Sequence, residues 1–414
     1  MTAVALRDAL RDALRDSLRD AWPLDERIVF LNHGSFGACP LAVLEHQQAL
    51  RLRLEQEPVR FFVRELESAW DEARAALAAF VGCDPDDLVS VPNATVGVNA
   101  VLASLGLEHG DEVLITNQVY PACRNAVTSL AERTGARVVE LPVPFPPPEA
   151  DEMDEALRVR ITDRTRVALL DHVTSPTGTI LPLERWVPML TQRGVRVLID
   201  GAHAPGMVPL DVDALGADYY VGNCHKWLCA PKGAGFLHVA RAHRDEVHPQ
   251  VVSLGYRSPR KDRSAFLVEF GWSGTNDPTA FLTVPFAIRY VASLHPEGWP
   301  GIRARNHAIM VDAVGKLSHA LGVEPWQKDT WYGSMVALPL PDREDAEPCP
   351  PRLDALQDWL FEGHGIEVPV ITWPRHPKRM IRVSAHLYNG GEDFDTLANA
   401  LRADDSRLEG RRQP

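Results

Sequence analysis

Lys226 is the residue of this chain whose type and position most strongly suggest covalent chemistry. It lies in the segment YYVGNCHKWLCAPKGAGF, residues 219–236. Lys and Arg together number 43, but only six are lysines and none of them precedes Lys226. A lysine amine that loses its proton forms an imine with a carbonyl group, which a guanidinium cannot do. Lys226 is therefore the first candidate for catalysis, although a lysine at a strand end also commonly extends to solvent.

The composition is that of an ordinary globular protein. The 414 residues are 45% hydrophobic and 24% charged, and this length suggests two domains. The net charge of -13 argues against a nucleic-acid partner, because such proteins present a concentrated basic surface. The sequence lacks a signal peptide and an apolar run of membrane-spanning length, so we expect no membrane contact and a cytoplasmic location. The 6 cysteines include no CxxC pair, which indicates neither a disulfide framework nor a metal site.

Short β-rich segments alternate with longer amphipathic segments along the chain. Strands are predicted at 88–91, 112–116, 137–140, 166–172, 195–200, 219–221, 235–239 and 379–384, and helices include 69–80 and 96–107. This alternation predicts an α/β fold with a mainly parallel seven-stranded sheet covered by helices. The predicted divisions are an N-terminal helix and arm at 1–30, a large domain at 31–280, and a smaller C-terminal α/β domain at 281–414. The LRDA repeat of residues 5–22 supplies the N-terminal helix.

Asp200 ends one of the predicted strands, in VRVLIDGAHAPG. A carboxylate at the end of an apolar strand needs a partner, because burying it unpaired costs several kcal/mol. A protonated pyridine nitrogen would serve, and this is the partner that makes pyridoxal phosphate an electron sink. An N-cap or an internal ion pair would serve equally well. His203, three residues later, is placed to contact the same ring.

Two further strand ends carry polar residues suited to the same cofactor. Asn93 is a predicted N-cap, which leaves the backbone amides of Ala94 and Thr95 and the Thr95 hydroxyl as an anion site at the helix N-terminus. Tyr120 follows the next strand, where its ring could stack on a pyridine or simply pack at a rim. Each of these features alone is weak evidence. Their order along the chain, which is an anion turn, an aromatic residue, Asp200 and then Lys226, favours a pyridoxal-phosphate site.

Several motifs of the chain resemble one family. They are LNHGSFGACP, FFVREL, FVGCDPDDL, NATVGVN, SPTG, DGAHAPG, GNCHKWLCAPKGAGFLH, SGTNDPTAF and IRVSAHLYN. Together they resemble the fold-type I pyridoxal-phosphate enzymes of the class V aminotransferase group, and within it isopenicillin N epimerase and its relatives. DGAHAPG and GNCHKW are the most specific of these motifs.

The resemblance implies a role for each matching residue. Lys226 would link to the cofactor, Asp200 would pair with the pyridine nitrogen, and His203 would lie by the phenolic oxygen; these three form the catalytic set. The other implied cofactor contacts are Asn93, Ala94, Thr95, Tyr120, Ser175, His225, Gly274 and Thr275. Gly274 and Thr275 would reach the phosphate of the neighbouring subunit, which implies a homodimer with shared active sites. The implied substrate-binding residues are Asn32, His33 and Arg382, with Arg382 gripping the α-carboxylate.

The resemblance predicts a small amino-acid substrate and a reaction at its α-carbon, of the epimerase or racemase type. The second proton donor is not identified by the sequence, and His33 and Tyr256 are only candidates. Asn276 stands where the epimerase has an Arg, so the long acidic side chain of isopenicillin N is in doubt as substrate. A desulfurase would need a thiol before the final strand, and residues 365–384 contain no cysteine. Elimination at a sulfur-substituted cysteine and transamination remain the alternatives.

Overall fold

The computed structural model describes residues 18–326, 328–344 and 353–403. Most of the predicted N-terminal helix lies in residues 1–17, outside the described residues. No helix within the described ranges is long and apolar enough to cross a membrane.

The strands account for the buried framework of the chain. In order they are β1 Val29–Phe30, β2 Leu88–Val91, β3 Glu112–Thr116, β4 Arg137–Leu141, β5 Thr165–Asp171, β6 Arg196–Gly201, β7 Tyr219–Asn223, β8 Gly235–Val239, β9 Met335–Leu340, β10 Ile366–Glu367, β11 Val370–Thr372 and β12 Arg379–Ser384.

The helices connect and cover these strands. They are α1 His33–Phe36, α2 Leu41–Gln56, α3 Pro58–Arg60, α4 Leu66–Val81, α5 Ala94–Ser104, α6 Pro121–Thr134, α7 Ala150–Arg158, α8 Leu183–Thr191, α9 Val212–Leu215, α10 Ala265–Phe270, α11 Thr279–Leu282, α12 Val284–Ser293, α13 Gly298–Leu321, α14 Ala355–His364 and α15 Gly391–Ala403. A π-helical turn, Phe61–Glu65, joins α3 to α4, and 3₁₀ turns occupy Pro85–Asp87, Arg241–Glu246 and Asp329–Trp331.

The larger compact unit comprises residues 42–175 and 181–291. It contains a seven-stranded sheet in the order β2-β8-β7-β6-β5-β3-β4. The pairs from β4 through β7 are parallel, and β8 runs antiparallel to both of its neighbours. The predicted mainly parallel seven-stranded sheet is therefore confirmed. The apolar runs of β5 to β7 fit this position, because helices cover both faces of a parallel sheet.

The described residues of the smaller unit are 18–41, 176–180, 292–326, 328–344 and 353–403. Its three-stranded antiparallel sheet has the order β11-β12-β9, and β1 pairs with β10 in parallel. Residues of α13, α14 and α15 pack with the sheet in an apolar core that includes Met310, Leu360 and Phe394. The unit thus combines three separate stretches of chain. The domains predicted from the sequence differ at three places. They assign residues 31–41 and 176–180 to the large domain and residues 281–291 to the small domain, whereas the structure does the reverse.

Candidate active site

Two polar turns of the larger unit meet at one edge of its sheet. Val91 at the end of β2 and Asn223 at the end of β7 both pair with Gly235 of β8. The side chain of Asn223 then accepts a hydrogen bond from the Ala94 backbone N–H at 2.8 Å. The Ala94 amide is therefore not free for an anion, which corrects the sequence-based expectation. The bond instead ties the start of α5 to the GNCHKW turn.

The N-terminus of α5 otherwise has the predicted capped geometry. The Asn93 side chain accepts from the Val96 backbone N–H at 3.0 Å, so Asn93 is the N-cap. The backbone of Asn93 also lies close to Gly235, where an added Cβ would stand 2.9 Å from the Asn93 Cα. Thr95 is in the first turn, where backbone N–H groups have no acceptor within the helix and favour negative charge.

Lys226 lies directly beside His203. The Lys226 Nζ is 3.1 Å from the His203 Nε2, and the His203 Nδ1 accepts from the indole N–H of Trp227 at 3.3 Å. Because an indole nitrogen only donates, the His203 Nδ1 is the acceptor in its contact with Trp227. The Nε2 atom of the same ring faces the Lys226 amine. Trp227 and Lys226 together fix the orientation of the His203 ring.

Local backbone geometry holds the Lys226 turn in place. The Cys229 N–H donates to the Lys226 carbonyl at 3.0 Å, with Cys229 in the left-handed region at φ 55°. Gly206 of the DGAHAPG motif has φ 91°, and a Cβ there would stand 2.6 Å from the Trp227 carbonyl oxygen. A side chain at residue 206 would therefore be strained and would displace the lysine turn.

His225 is held as a neutral ring. Its Nδ1 contacts the Ala234 carbonyl oxygen at 3.2 Å, and this contact requires a proton on Nδ1. Burial, and then the charge of Lys226, lower the pKa of His225 to about 4. The Nε2 atom of neutral His225 therefore carries no proton, so it cannot donate to a phosphate in that state.

Asp200 is a buried carboxylate at the end of β6, with 4% of its surface exposed. Its two oxygens accept from the Ala202 N–H at 3.0 Å and from the Cys123 thiol at 3.2 Å. Burial, and then the Asp200 charge, raise the pKa of Cys123, so the thiol keeps its proton and donates. Within the described ranges no Lys or Arg forms an ion pair with Asp200.

The remaining predicted cofactor residues of the larger unit lie in turns. Tyr120 is the N-terminal flanking residue of α6 and is 42% exposed. Ser175 is half-buried and follows β5 by four residues. Gly274 and Thr275 lie in the loop between α10 and α11, with Gly274 at φ 117° and Thr275 exposed. Residues 273 and 275–277 of this loop are exposed.

The predicted substrate residues of the smaller unit form a hydrogen-bonded chain. Arg382 of β12 is 4% exposed, and its Nη2 donates to the Ser35 hydroxyl at 2.8 Å. The Ser35 hydroxyl donates to Asn32 Oδ1 at 2.5 Å, and the Asn32 amide donates to Glu367 at 3.0 Å. Arg382 and Asn32 are thus brought together through Ser35, a residue that the sequence motifs alone do not mark as functional.

His33 lies in an aromatic group of the smaller unit. Its Nδ1 is 2.8 Å from the Tyr388 hydroxyl, and its ring stacks on His386 with centroids 4.2 Å apart. The ring is fully buried within this group. The candidate proton donor Tyr256 lies in the other unit, is 49% exposed, and has the Arg257 guanidinium 5.1 Å from its ring centroid.

Comparison with known proteins identifies the family of this chain. The model of the family described as aminotransferase class V matches residues 40–397. The chain belongs to the aminotransferase class V family. It is 34% identical to isopenicillin N epimerase of Streptomyces clavuligerus over 392 residues, which cover 92% of this chain and 96% of that protein. It is 30% identical to an L-cysteine desulfhydrase of Arabidopsis thaliana over 406 residues, which cover 90% and 86%.

The fold of this family is also found among solved structures. A lysine-to-alanine mutant of the protein C-DES, with glycine covalently linked to its PLP cofactor, aligns with a TM-score of 0.76 at 23% identity. The alignment covers 93% of this chain and 98% of that one. The resemblance inferred from the motifs is therefore confirmed, and the fold is the fold-type I architecture expected from it.

The residues of the larger unit fit the cofactor of fold-type I class V enzymes. The buried Asp200 carboxylate, which has no ion pair among the described residues, matches a protonated pyridine nitrogen, and the Lys226 amine matches an aldehyde. The capped N-terminus of α5 matches a phosphate. Three partners in this arrangement were not predicted from the sequence: Cys123, Asn223 and Trp227. Asn223 and Trp227 stand inside the GNCHKW motif, which was a usable signal, whereas nothing in the sequence links Cys123 to Asp200.

Proposed function

We propose that this chain epimerises or racemises an amino acid or an amino-acid-derived substrate by removing and returning its α-proton. It is an enzyme of the class V group, and its cofactor is pyridoxal 5'-phosphate. The observation that carries the proposal is the contact between His203 and Lys226, because it orients a primary amine that can act as both nucleophile and general base.

Bound pyridoxal phosphate supplies an aldehyde that joins to amines and a protonated ring that withdraws electrons from the α-carbon. With the cofactor bound, Lys226 would be the residue that holds its aldehyde, and the Lys226 Nζ would be the base for the α-proton. Asp200 would keep the ring nitrogen protonated. His203 orients Lys226 through Nε2 and would be the residue beside the phenolic oxygen.

The remaining contacts place the cofactor. Asn93 and Ala94 shape the phosphate turn, and the Thr95 amide and hydroxyl donate to the phosphate. His225 contacts the phosphate in its protonated form, because a nearby negative charge raises the pKa of a histidine. The partly exposed Tyr120 side chain would stack on the ring, and Ser175 is the last of the proposed cofactor contacts.

Recognition of the substrate carboxylate belongs to the smaller unit in this proposal. Arg382 binds the α-carboxylate in bidentate fashion, and Ser35 fixes the direction of one guanidinium nitrogen. Asn32 and His33 would contact the same carboxylate. The exposed Asn276 carries no charge to attract a long acidic side chain, which argues against isopenicillin N as the substrate.

A second candidate function is cleavage of a carbon–sulfur bond. The L-cysteine desulfhydrase relative favours it, because that protein matches over nearly the same stretch of chain. The residue roles would be unchanged up to removal of the α-proton, after which a sulfur substituent would leave. Transamination would start in the same way. The three reactions diverge only after the α-proton has been removed.

The reaction type is tested by incubating the holoenzyme in heavy water with a panel of α-amino acids and sulfur-substituted cysteines. We expect deuterium at the α-carbon together with inversion, because the proton removed by Lys226 exchanges with solvent and a proton returns to the other face. We expect no oxo acid. Mass spectrometry, chiral chromatography and assays for pyruvate, ammonia and sulfide measure these outputs.

The Lys226→Ala variant is the control, and it should show neither exchange nor inversion. Stoichiometric sulfide or pyruvate without the inverted product would establish the lyase function instead. Conversion of the cofactor to its amine form in a single turnover would establish transamination.

We further propose a homodimer in which Gly274 and Thr275 reach the phosphate of the neighbouring subunit. The exposed loop and the open backbone at Gly274 support this. Mixing Thr275→Ala with Lys226→Ala subunits should then restore activity, because one site of each mixed dimer regains both residues. We expect up to about a quarter of wild-type activity, measured after co-refolding or subunit exchange.

The matched control replaces Ser273→Ala, an exposed neighbour in the same loop, which should need no complementation. Mixed dimers that form but are no more active than either parent would contradict sharing. We also propose that the protein is located in the cytoplasm.

A further inference from the structure

A second carboxyl group, Asp171, is buried beside Asp200. Asp171 ends β5 and Asp200 lies near the end of β6, and their Cα atoms are register partners in this parallel pair. Neighbouring register partners project their side chains to the same face of a sheet. Their exposed fractions are only 2% and 4%, so both carboxyl groups lie outside the reach of solvent screening.

The pair has two carboxyl groups and no protein cation. In the part of the chain that the structure describes, neither Asp171 nor Asp200 forms an ion pair with Lys or Arg. The pyridine nitrogen of the cofactor supplies one positive charge, which matches one carboxylate. A second buried negative charge would cost several kcal/mol, and a carboxyl group in this situation takes up a proton instead.

The hydrogen bonds indicate which of the two is protonated. Both Asp200 oxygens accept from donors, the Ala202 N–H and the Cys123 thiol. Asp171 accepts from its own backbone N–H, the Tyr120 backbone and the Thr116 hydroxyl, but its Oδ2 has no hydrogen-bond partner among the described residues. Both oxygens of Asp200 have a donor, whereas one oxygen of Asp171 has none. Asp171 is therefore the one on which a negative charge is least stable.

The surrounding titratable groups lead to the same assignment. Burial raises the pKa of Asp171 well above its usual range, and the Asp200 charge raises it further. The Cys123 thiol on α6 and the Tyr220 hydroxyl on β7 both have raised pKa values and stay neutral. Burial lowers the pKa of the adjacent His172 to about 4, so that ring is neutral as well. Lys226 is the nearby lysine, and its Nζ contacts His203.

We propose that Asp171 holds a proton at neutral pH, so that the Asp171–Asp200 pair carries a single negative charge, located on Asp200. Asp171 is thereby a positioning residue that acts through Asp200. Its proton prevents a second charge from competing for the ring nitrogen. The inference rests on the proposed role of Asp200 for its catalytic meaning, but the protonation of Asp171 is measurable without the cofactor.

The first measurement is urea unfolding of the cofactor-free full chain between pH 5 and pH 8, for wild type and Asp171→Asn. A group whose pKa is raised by folding binds a proton on folding, so its stabilising effect is present at low pH and is lost as the pH rises. The ratio of the wild-type unfolding constant to that of Asp171→Asn should therefore rise about tenfold per pH unit. A ratio that stays constant would show that Asp171 is ionised in the folded chain, and would overturn the proposal.

The second measurement uses the holoenzyme. Because Asn is neutral like protonated Asp171, Asp171→Asn should retain the cofactor within about threefold of wild type at pH 7.5, with an unchanged absorption spectrum. Wild type should show an additional spectral inflection at alkaline pH that Asp171→Asn lacks. Loss of cofactor in Asp171→Asn as large as in Asp200→Asn would overturn the proposal.

A third measurement is made on the wild type, so it remains possible if Asp171→Asn does not fold. In wild-type holoenzyme labelled with ¹³C-carboxyl aspartate, infrared spectroscopy at pH 7.5 should show a buried carboxylic-acid band that shifts in heavy water and is lost in Asp171→Ser. Absence of that band would overturn the proposal. If wild type binds no cofactor at all, the proposed function fails, whereas the unfolding ratio still decides the state of Asp171.

Discussion

Replacing Lys226 with Ala should lower turnover by about 10³-fold or more, because it removes both the covalent anchor and the general base. The variant should also bind pyridoxal phosphate without the absorption band of the wild-type link. The His203 Nε2 atom would lose its contact with the Lys226 amine. Steady-state kinetics on the substrate found by the heavy-water panel, together with the visible spectrum, measure both effects. Borohydride should fix a pyridoxyl group on Lys226 of the wild type, identifiable in a peptide map.

Lys232→Ala is the matched control, since Lys232 is an exposed lysine in the same long turn. This variant should keep turnover within about threefold of wild type, as expected for substitution of an exposed side chain. A pyridoxyl label on Lys232, or a Lys226→Ala enzyme with near-wild-type turnover, would remove Lys226 from the mechanism.

The strands of the larger unit were predictable because their signal is local. β2, β3 and β8 begin and end where the apolar runs predict, since each run is bounded by turn residues. β4 to β7 differ from the predictions by one or two residues at their ends, where pairing with a neighbour extends or shortens a strand. The helix predicted at 69–80 is longer, Leu66–Val81, because α4 continues directly from the π-helical turn.

The grouping of the proposed site residues at one sheet edge was predictable for a related reason. Lys226, Asp200 and Asn93 all follow strands whose carboxyl ends meet at one edge, so their proximity follows from strand direction alone. The partners of these residues were not predictable in the same way. Cys123 reaches Asp200 from α6, and Asp171 becomes its neighbour through the β5–β6 register, which strand propensity does not specify.

The Ala94 amide shows how a local rule fails. N-capping leaves early backbone N–H groups open, and the sequence therefore indicated an anion contact there. Asn223, 129 residues away, occupies that donor instead. A contact at this separation depends on the β7–β8–β2 pairing, so only the assembled sheet reveals it.

Replacing Asp200 with Asn should lower turnover per bound cofactor by about 10² to 10³-fold, the effect of losing one charge that stabilises the transition state. An amide carries no negative charge, so the ring nitrogen would lose its proton and withdraw fewer electrons from the α-carbon. Asn could still accept from the Ala202 N–H, so the turn after β6 should keep its shape. Cofactor retention should also weaken. Stopped-flow kinetics and the cofactor spectrum would measure both quantities.

Asp154→Asn provides the matched control, because Asp154 is also a buried carboxylate of the larger unit. It is 7% exposed and accepts from Trp186 at 3.0 Å and from Arg185 Nε at 2.8 Å. Since Asp154 already has a cation partner, its replacement should lower the free energy of unfolding but leave turnover per bound cofactor unchanged. Expressing turnover per bound cofactor separates the two effects. If the Asp200→Asn enzyme kept its turnover within about threefold of wild type, Asp200 would contribute only to packing, as is expected of Asp154.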